Sequence, residues 1–174
     1  MADFAFVDKS GEGVTIEWID QEPLEEEESV FFRGLWQAYA NLTNKDLGVE
    51  DKSAHIKELF DVVKSQCTHK IGHLARAKVK ERVVGFICYK PTEMPDQLYV
   101  TQISIDPDYW GRGIGSELIF CAMKRFPNTR SIVTNFHKAN HTYSSFVRAV
   151  GFKQSNFLLK EHDPDKYLGM EWNP

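Results

Sequence analysis

The chain has 174 residues, 42% of them apolar and 13% aromatic, which is the size and composition of one packed domain spanning residues 1 to 174. A formal charge of −4 with no Lys/Arg run or basic stripe excludes a non-specific nucleic-acid binder, and no stretch reaches the roughly 18 apolar residues of a membrane span. The N-terminus "MADFAFVDKS" lacks a basic segment followed by an apolar one, and Cys67, Cys88 and Cys121 read as buried free thiols of a reducing compartment, so a cytoplasmic protein is expected.

After an extra strand in "DFAFVD" and the turn "SGEG", the segment Gly13 to Asp20 alternates Val14, Ile16 and Trp18 as a strand does. From Glu25 the period becomes helical, with Phe31, Leu35, Ala38 and Leu42 on one stripe and the acidic run Glu25 to Glu28 at the N-terminal end, read as a solvated helix start. A second helix carries Ile56, Leu59, Phe60 and Val63. Two strands, "IGHLARAKV" and "RVVGFICYK", form a hairpin through a polar turn, and "LYVTQISI" is the next strand. Ile114, Leu118, Ala122 and Phe126 mark a third helix that ends before Pro127. "RSIVTNFH" is a strand, "NHTYSSFVRAV" a helix with Asn140 as N-cap and Gly151 as its stop, and "FKQSNFLLK" and "KYLGMEW" are closing strands. His69 and His73 have helical spacing but no further ligand pattern, so no metal site is expected.

The segment "ISIDPDYWGRGIGSEL", Ile103 to Leu118, carries the chemistry. Gly111, Gly113 and Gly115 alternate between a strand and a helix, unlike the G-x-G-x-x-G of dinucleotide folds, and Ser116 and Glu117 follow where a P-loop needs Lys and Ser/Thr. Such a turn can be a tight corner and nothing more. It can also expose successive backbone amides at a helix N-terminus, with Arg112 among them, a geometry suited to a pyrophosphate.

With "VVGFI" in the preceding hairpin and the run from Asn140 to Phe152 that ends in Gly-Phe, these motifs resemble those of the GNAT superfamily of acetyl-CoA-dependent N-acetyltransferases, over most of the chain from Gly13 onward. The resemblance implies an α/β (α+β) fold: a mixed, mostly antiparallel sheet of six or seven strands, splayed at its centre and flanked by four helices. It further implies that coenzyme A is held by the backbone of Ile103, Ser104 and Ile105, by the turn Gly111, Arg112, Gly113, Ile114, Gly115 and Ser116, and by Asn140. Trp110 departs from the family, which usually has Gln or Arg there, so the amides and Arg112 must balance the phosphate charge.

Acyl transfer to an amine requires the neutral base, and at pH 7 only about one lysine-like amine in a thousand is unprotonated. Relatives supply a Glu on the fourth or fifth strand; the corresponding positions here are Tyr99 and Asn135. Relatives also carry a Tyr seven residues after the Asn, where Val147 stands. Tyr143, one helical turn earlier, is the substitute acid, and His137 could take a proton through water. Tyr143, His137 and Tyr99 are therefore the catalytic candidates. The expectation is transfer of acetyl from acetyl-CoA to a primary amine of a small molecule or peptide in a ternary complex, by a monomer or homodimer with no metal, nucleic acid or membrane partner. The resemblance implies an acceptor pocket built by the first two helices and the loops beside the last strands, with Trp36, Tyr39 and Glu25 to Glu28 as candidates. A CoA-binding sensor without turnover, and an interaction protein using "FFRGLWQAY" as a partner groove, are the alternatives.

Overall fold

The computed structural model describes residues 4–19 and 25–174, so Asp20 at the end of the expected strand and Asp3 at the start of the extra one lie outside the described residues. The chain folds as β1 (Phe4–Val7), β2 (Gly13–Ile19), α1 (Glu25–Ala38), the one-turn α2 (Asn44–Leu47), α3 (Lys52–Thr68), β3 (His73–Val79), β4 (Arg82–Pro91), β5 (Gln97–Ile105), a 3-10 turn (Pro107–Tyr109), α4 (Ile114–Arg125), β6 (Ser131–His137), α5 (His141–Val150), β7 (Lys153–Ser155) and β8 (Tyr167–Trp172). All strands join one eight-stranded sheet in the order β1-β2-β3-β4-β5-β6-β8-β7, antiparallel except between β5 and β6. The mixed, mostly antiparallel sheet and its four long helices are as expected from the sequence. The eighth strand arises because both the N-terminal hairpin and the short β7 join the sheet.

Helices cover both faces, which explains why β4 is almost continuously buried. Val83, Phe86 and Cys88 pack with Phe31 of α1 and Phe60 of α3, whereas Ile87 and Tyr89 pack with Leu118 of α4. Gly34 lets α1 approach β5 closely: a Cβ there would lie 2.5 Å from Ser104 Oγ and 3.0 Å from the Ile105 carbonyl.

The splay is an observed feature of the register. β5 and β6 pair from Gln97–Ser131 to Val100–Thr134 and then part, although β5 continues to Ile105 and β6 to His137. Beyond Val100, β5 keeps its pairing with β4 on one side and presents a free edge on the other.

Three expectations need correction, and one short helix was not among them. Glu27 is not solvated: it is fully buried, with its carboxylate 3.2 Å from Arg76. Cys67 is only half-buried. Of "FKQSNFLLK" only Lys153–Ser155 is strand, because Phe157 and Leu159 instead connect to Asn135 on β6. The helix α2 carries no apolar period over its single turn; its signal is the Thr43–Asp46 capping box.

Candidate active site

Asp106, at the end of β5, is buried to 1% exposure and clamped by Arg33 at 2.6 Å and Arg82 at 2.8 Å. It also accepts the Asp108 amide at 3.1 Å, starting the 3-10 turn. This clamp fixes where the strand stops and the glycine turn begins. Gly111 and Gly113 have φ of 76° and 88°, the left-handed region that a side chain disfavours. Gly113 is the N-cap of α4 and offers no side-chain cap. Among the described residues, no hydrogen bond uses the amides from Gly111 to Ser116. A helix N-terminus with its amides open is a receptor for an anion.

The turn forms one end of a cavity of about 550 Å³ that follows the parting of β5 and β6. Ile103, Ser104, Ile105, Ile114, Gly115, Ser116 and Asn140 all line it. Arg112 does not. Its guanidinium is 2.8 Å from Glu12, bonds Ser10 at 3.1 Å and the Asp108 carbonyl at 3.1 Å, and lies 4.5 Å over the Tyr109 ring. The cation on the cavity wall is Lys9, whose amide donates to the Arg112 carbonyl at 3.1 Å and whose side chain passes Gly113. Trp110 has a structural part: its Nε1 donates to the Ile105 carbonyl at 2.8 Å, tying the turn to the strand end.

The other end of the cavity is aromatic and polar. Tyr39, in the turn after α1, lines it, whereas Trp36 is exposed beneath the Lys52 ammonium at 5.1 Å and the run Glu25 to Glu28 does not reach it, so only Tyr39 of the expected acceptor residues is placed there. Burial pushes the Tyr39 and Tyr99 phenols well above their ordinary values. Tyr143 hydrogen-bonds Thr134 at 3.0 Å and is pushed up to about 12 by burial, leaving its hydroxyl protonated at the point where the strands part. Asn140 caps α5 by accepting the Tyr143 amide at 3.0 Å. Val147 is fully buried in the core. His137 accepts the Ala139 amide on Nδ1 at 3.1 Å, and burial and the nearby His55 lower its pKa.

Sequence reasoning missed His162, Tyr167 and Glu161, which line the same end from the loop before β8 and the start of that strand. No local pattern marks them; they meet β6 only through the fold. Among the described residues no cluster of His, Cys, Asp or Glu could hold a metal ion, and no helix is long and apolar enough to cross a membrane.

A glycine turn opening α4, a parted parallel strand pair and a cavity running along both are the features that place the fold. The family model described as "Acetyltransferase (GNAT) family" matches residues 24–152, and the chain belongs to that family, whose members transfer acetyl groups from acetyl-CoA. The fold is similar to that of PaiA N-acetyltransferase from Thermoplasma acidophilum in complex with coenzyme A, at 19% identity and TM-score 0.69 over 91% of this chain and 99% of that one. It is also similar to a Bacillus subtilis acetyltransferase in complex with CoA, at 13% identity and TM-score 0.60 over 91% and 97% of the two chains. The GNAT domain of S. lividans PAT aligns at 14% identity and TM-score 0.58 over 99% and 97%. A search of curated protein sequences gives no significant match.

Proposed function

We propose that the protein transfers the acetyl group of acetyl-CoA to a primary amine, by direct attack of the amine on the thioester in a ternary complex. The observation that carries this is the run of open amides from Gly111 to Ser116 in the same cavity as the free edge of β5. The residues present fit coenzyme A. The amides and Lys9 would take the pyrophosphate, the backbone of Ile103 to Ile105 would pair with the pantetheine arm, and Asn140 would border it. When bound, acetyl-CoA supplies an activated acyl group; the protein supplies position and electrostatics.

Direct transfer is supported by the cysteines, none of which lines the cavity. Burial pushes the Cys121 thiol up to about 12, and a hydrogen bond with Cys67 together with burial raises that of Cys88 well above the ordinary range, so neither is a ready thiolate. An amine acceptor suits the wall around Glu161, the carboxylate at the mouth of the aromatic end. Thiol release from acetyl-CoA, measured against alkylamines, diamines, amino-acid amides and lysine-bearing peptides, tests the proposal. Release that needs an amine and yields the N-acetyl product supports it. Radiolabel left on a cysteine in the absence of acceptor overturns the direct route. The buried Val147, where relatives carry a tyrosine, favours the second reading of a CoA-binding module without turnover, to which CoA binding and no thiol release with any amine would point.

A further inference from the structure

Resting on that proposal, we infer that His162, oriented by Asn135, is the general base that takes the proton from the incoming amine. Asn135 stands one residue past Thr134, the last residue of β6 paired with β5, where the two strands part. Its amide nitrogen donates to the Thr134 carbonyl at 3.0 Å and to the Phe157 carbonyl at 2.8 Å, which fixes the rotamer and leaves Oδ1 as an acceptor. That oxygen accepts the Leu159 amide at 2.9 Å and faces His162 Nδ1 at 3.2 Å. An oxygen that can only accept requires Nδ1 to carry the proton. The neutral ring then has its lone pair on Nε2, which has no hydrogen-bond partner among the described residues.

His162 lines the cavity, and its ring is held by stacking on Tyr167 at 4.3 Å and 4° between planes. A base whose second nitrogen is pinned by an oriented acceptor is the arrangement a proton acceptor needs. His137 has the opposite assignment. Its Nδ1 lone pair receives the Ala139 amide, so its proton lies on Nε2, toward the Leu47 backbone, and it has no lone pair to offer. Asn135, at a position where relatives carry a carboxylate, thus acts as a positioning residue for a base supplied 27 residues further along the chain.

The step balances without a further reactant. Nε2 takes one proton from the ammonium, and the neutral amine attacks the thioester carbonyl. The C–N bond forms and the C–S bond breaks. The second amine proton passes to the departing sulfur, giving the free thiol, and His162 returns its proton to solvent.

The groups that face His162 set its titration: burial and Lys90 hold its pKa below the ordinary imidazole value, and Glu161 opposes them. The Tyr167 phenol against its ring, itself raised by burial, stays neutral and adds no charge in this range, and Tyr99 behaves likewise. The rate should therefore rise with pH through a value below about 6.5 and then level off until the acceptor itself loses its proton.

Two measurements test the assignment. In wild-type protein, ¹⁵N spectra of the histidine rings should show His162 as the Nδ1–H tautomer and His137 as the Nε2–H tautomer; an Nε2–H ring at His162 overturns the base. With acetyl-CoA and the fastest amine of the panel, His162→Gln should lower kcat by ~10²-fold or more and remove the limb below pH 6.5, while the CoA-dependent rise in Tm persists. Asn135→Asp, which places a charge beside Nδ1, should move that limb to higher pH. Retention of the limb in His162→Gln defeats the base while leaving amine acetylation standing. Absence of thiol release with every amine defeats both.

Discussion

The two ends of the cavity are built on different principles. The turn end comes from one contiguous segment, Ile103 to Ser116, and its working parts are backbone amides and a free strand edge. The aromatic end is assembled from side chains of α1, β5, β6, α5 and the loop before β8, and its working parts are a carboxamide, imidazoles and phenols. A site made of backbone tolerates a changed side chain, as Trp110 does by turning its indole to the Ile105 carbonyl. A site made of side chains changes its chemistry with each substitution. One fold can thus keep its acyl donor while its acceptor varies.

The sharpest break of this comparison is Gly113→Glu. A carboxylate would stand at an amide cradle on a residue with φ 88°, so CoA affinity should fall by ~100-fold or more, read by calorimetry or by loss of the CoA-dependent Tm shift. Gly115→Ala should differ. Its Cβ would lie 2.8 Å from Phe146, so the cost is overpacking between α4 and α5, about 1–3 kcal/mol of stability. If Gly113→Glu binds CoA as wild type does, the turn is only a corner.

The same contrast explains what the sequence made legible. Every long helix and the main strands followed from period, caps and breakers: Asn140 does cap α5, and Gly151, at φ 111°, does end it. The glycine turn was legible because its residues are neighbours in the chain. The burial of Glu27 has no local signature, because it depends on a partner, Arg76, that lies 49 residues away in the chain. Arg112 is a phosphate candidate by its place in the turn, but the β1–β2 hairpin, 100 residues distant in sequence, engages its guanidinium through Glu12 and brings Lys9 to the cavity. The Asn135–His162 pair has no local signature at all.

Exchange of roles between Lys9 and Arg112 gives the next, smaller effect. Lys9→Met should weaken CoA binding by about 10-fold, more at low salt than at high, with little change in Tm of the free protein. Arg112→Met should mainly loosen the hairpin, because it removes the partner of Glu12 and of the fully buried Asp8 carboxylate, 3.7 Å away. Equal affinity for CoA in Lys9→Met, with a weakened Arg112→Met, would return the phosphate to Arg112.

The smallest effect is acid sensitivity, and it should be confined to one end. Burial lowers the pKa of His55, His137 and His162, whereas the unfolded chain protonates each near 6.5. Below that pH the unfolded state binds protons that the folded state refuses, so stability is complete above about 6.5 and is lost as pH falls. His137 and His162 belong to the aromatic end, and His55 stacks on its Tyr39 at 6.5 Å between ring centres, while the turn end contains no histidine. Hydrogen exchange compared at pH 7.5 and 5.5, corrected for intrinsic rates, should therefore show protection falling first around Asn135 to Asn140 and the loop before β8. The segment from Ile103 to Leu118 should hold, because it contains no histidine and its anchor is Asp106, held at 2.6 Å by Arg33 and at 2.8 Å by Arg82. His162→Gln should reduce the acid loss at the loop and leave the turn unaffected. Equal loss at both ends would mean that the sheet opens as one unit, and the independence of donor and acceptor sites would fail with it.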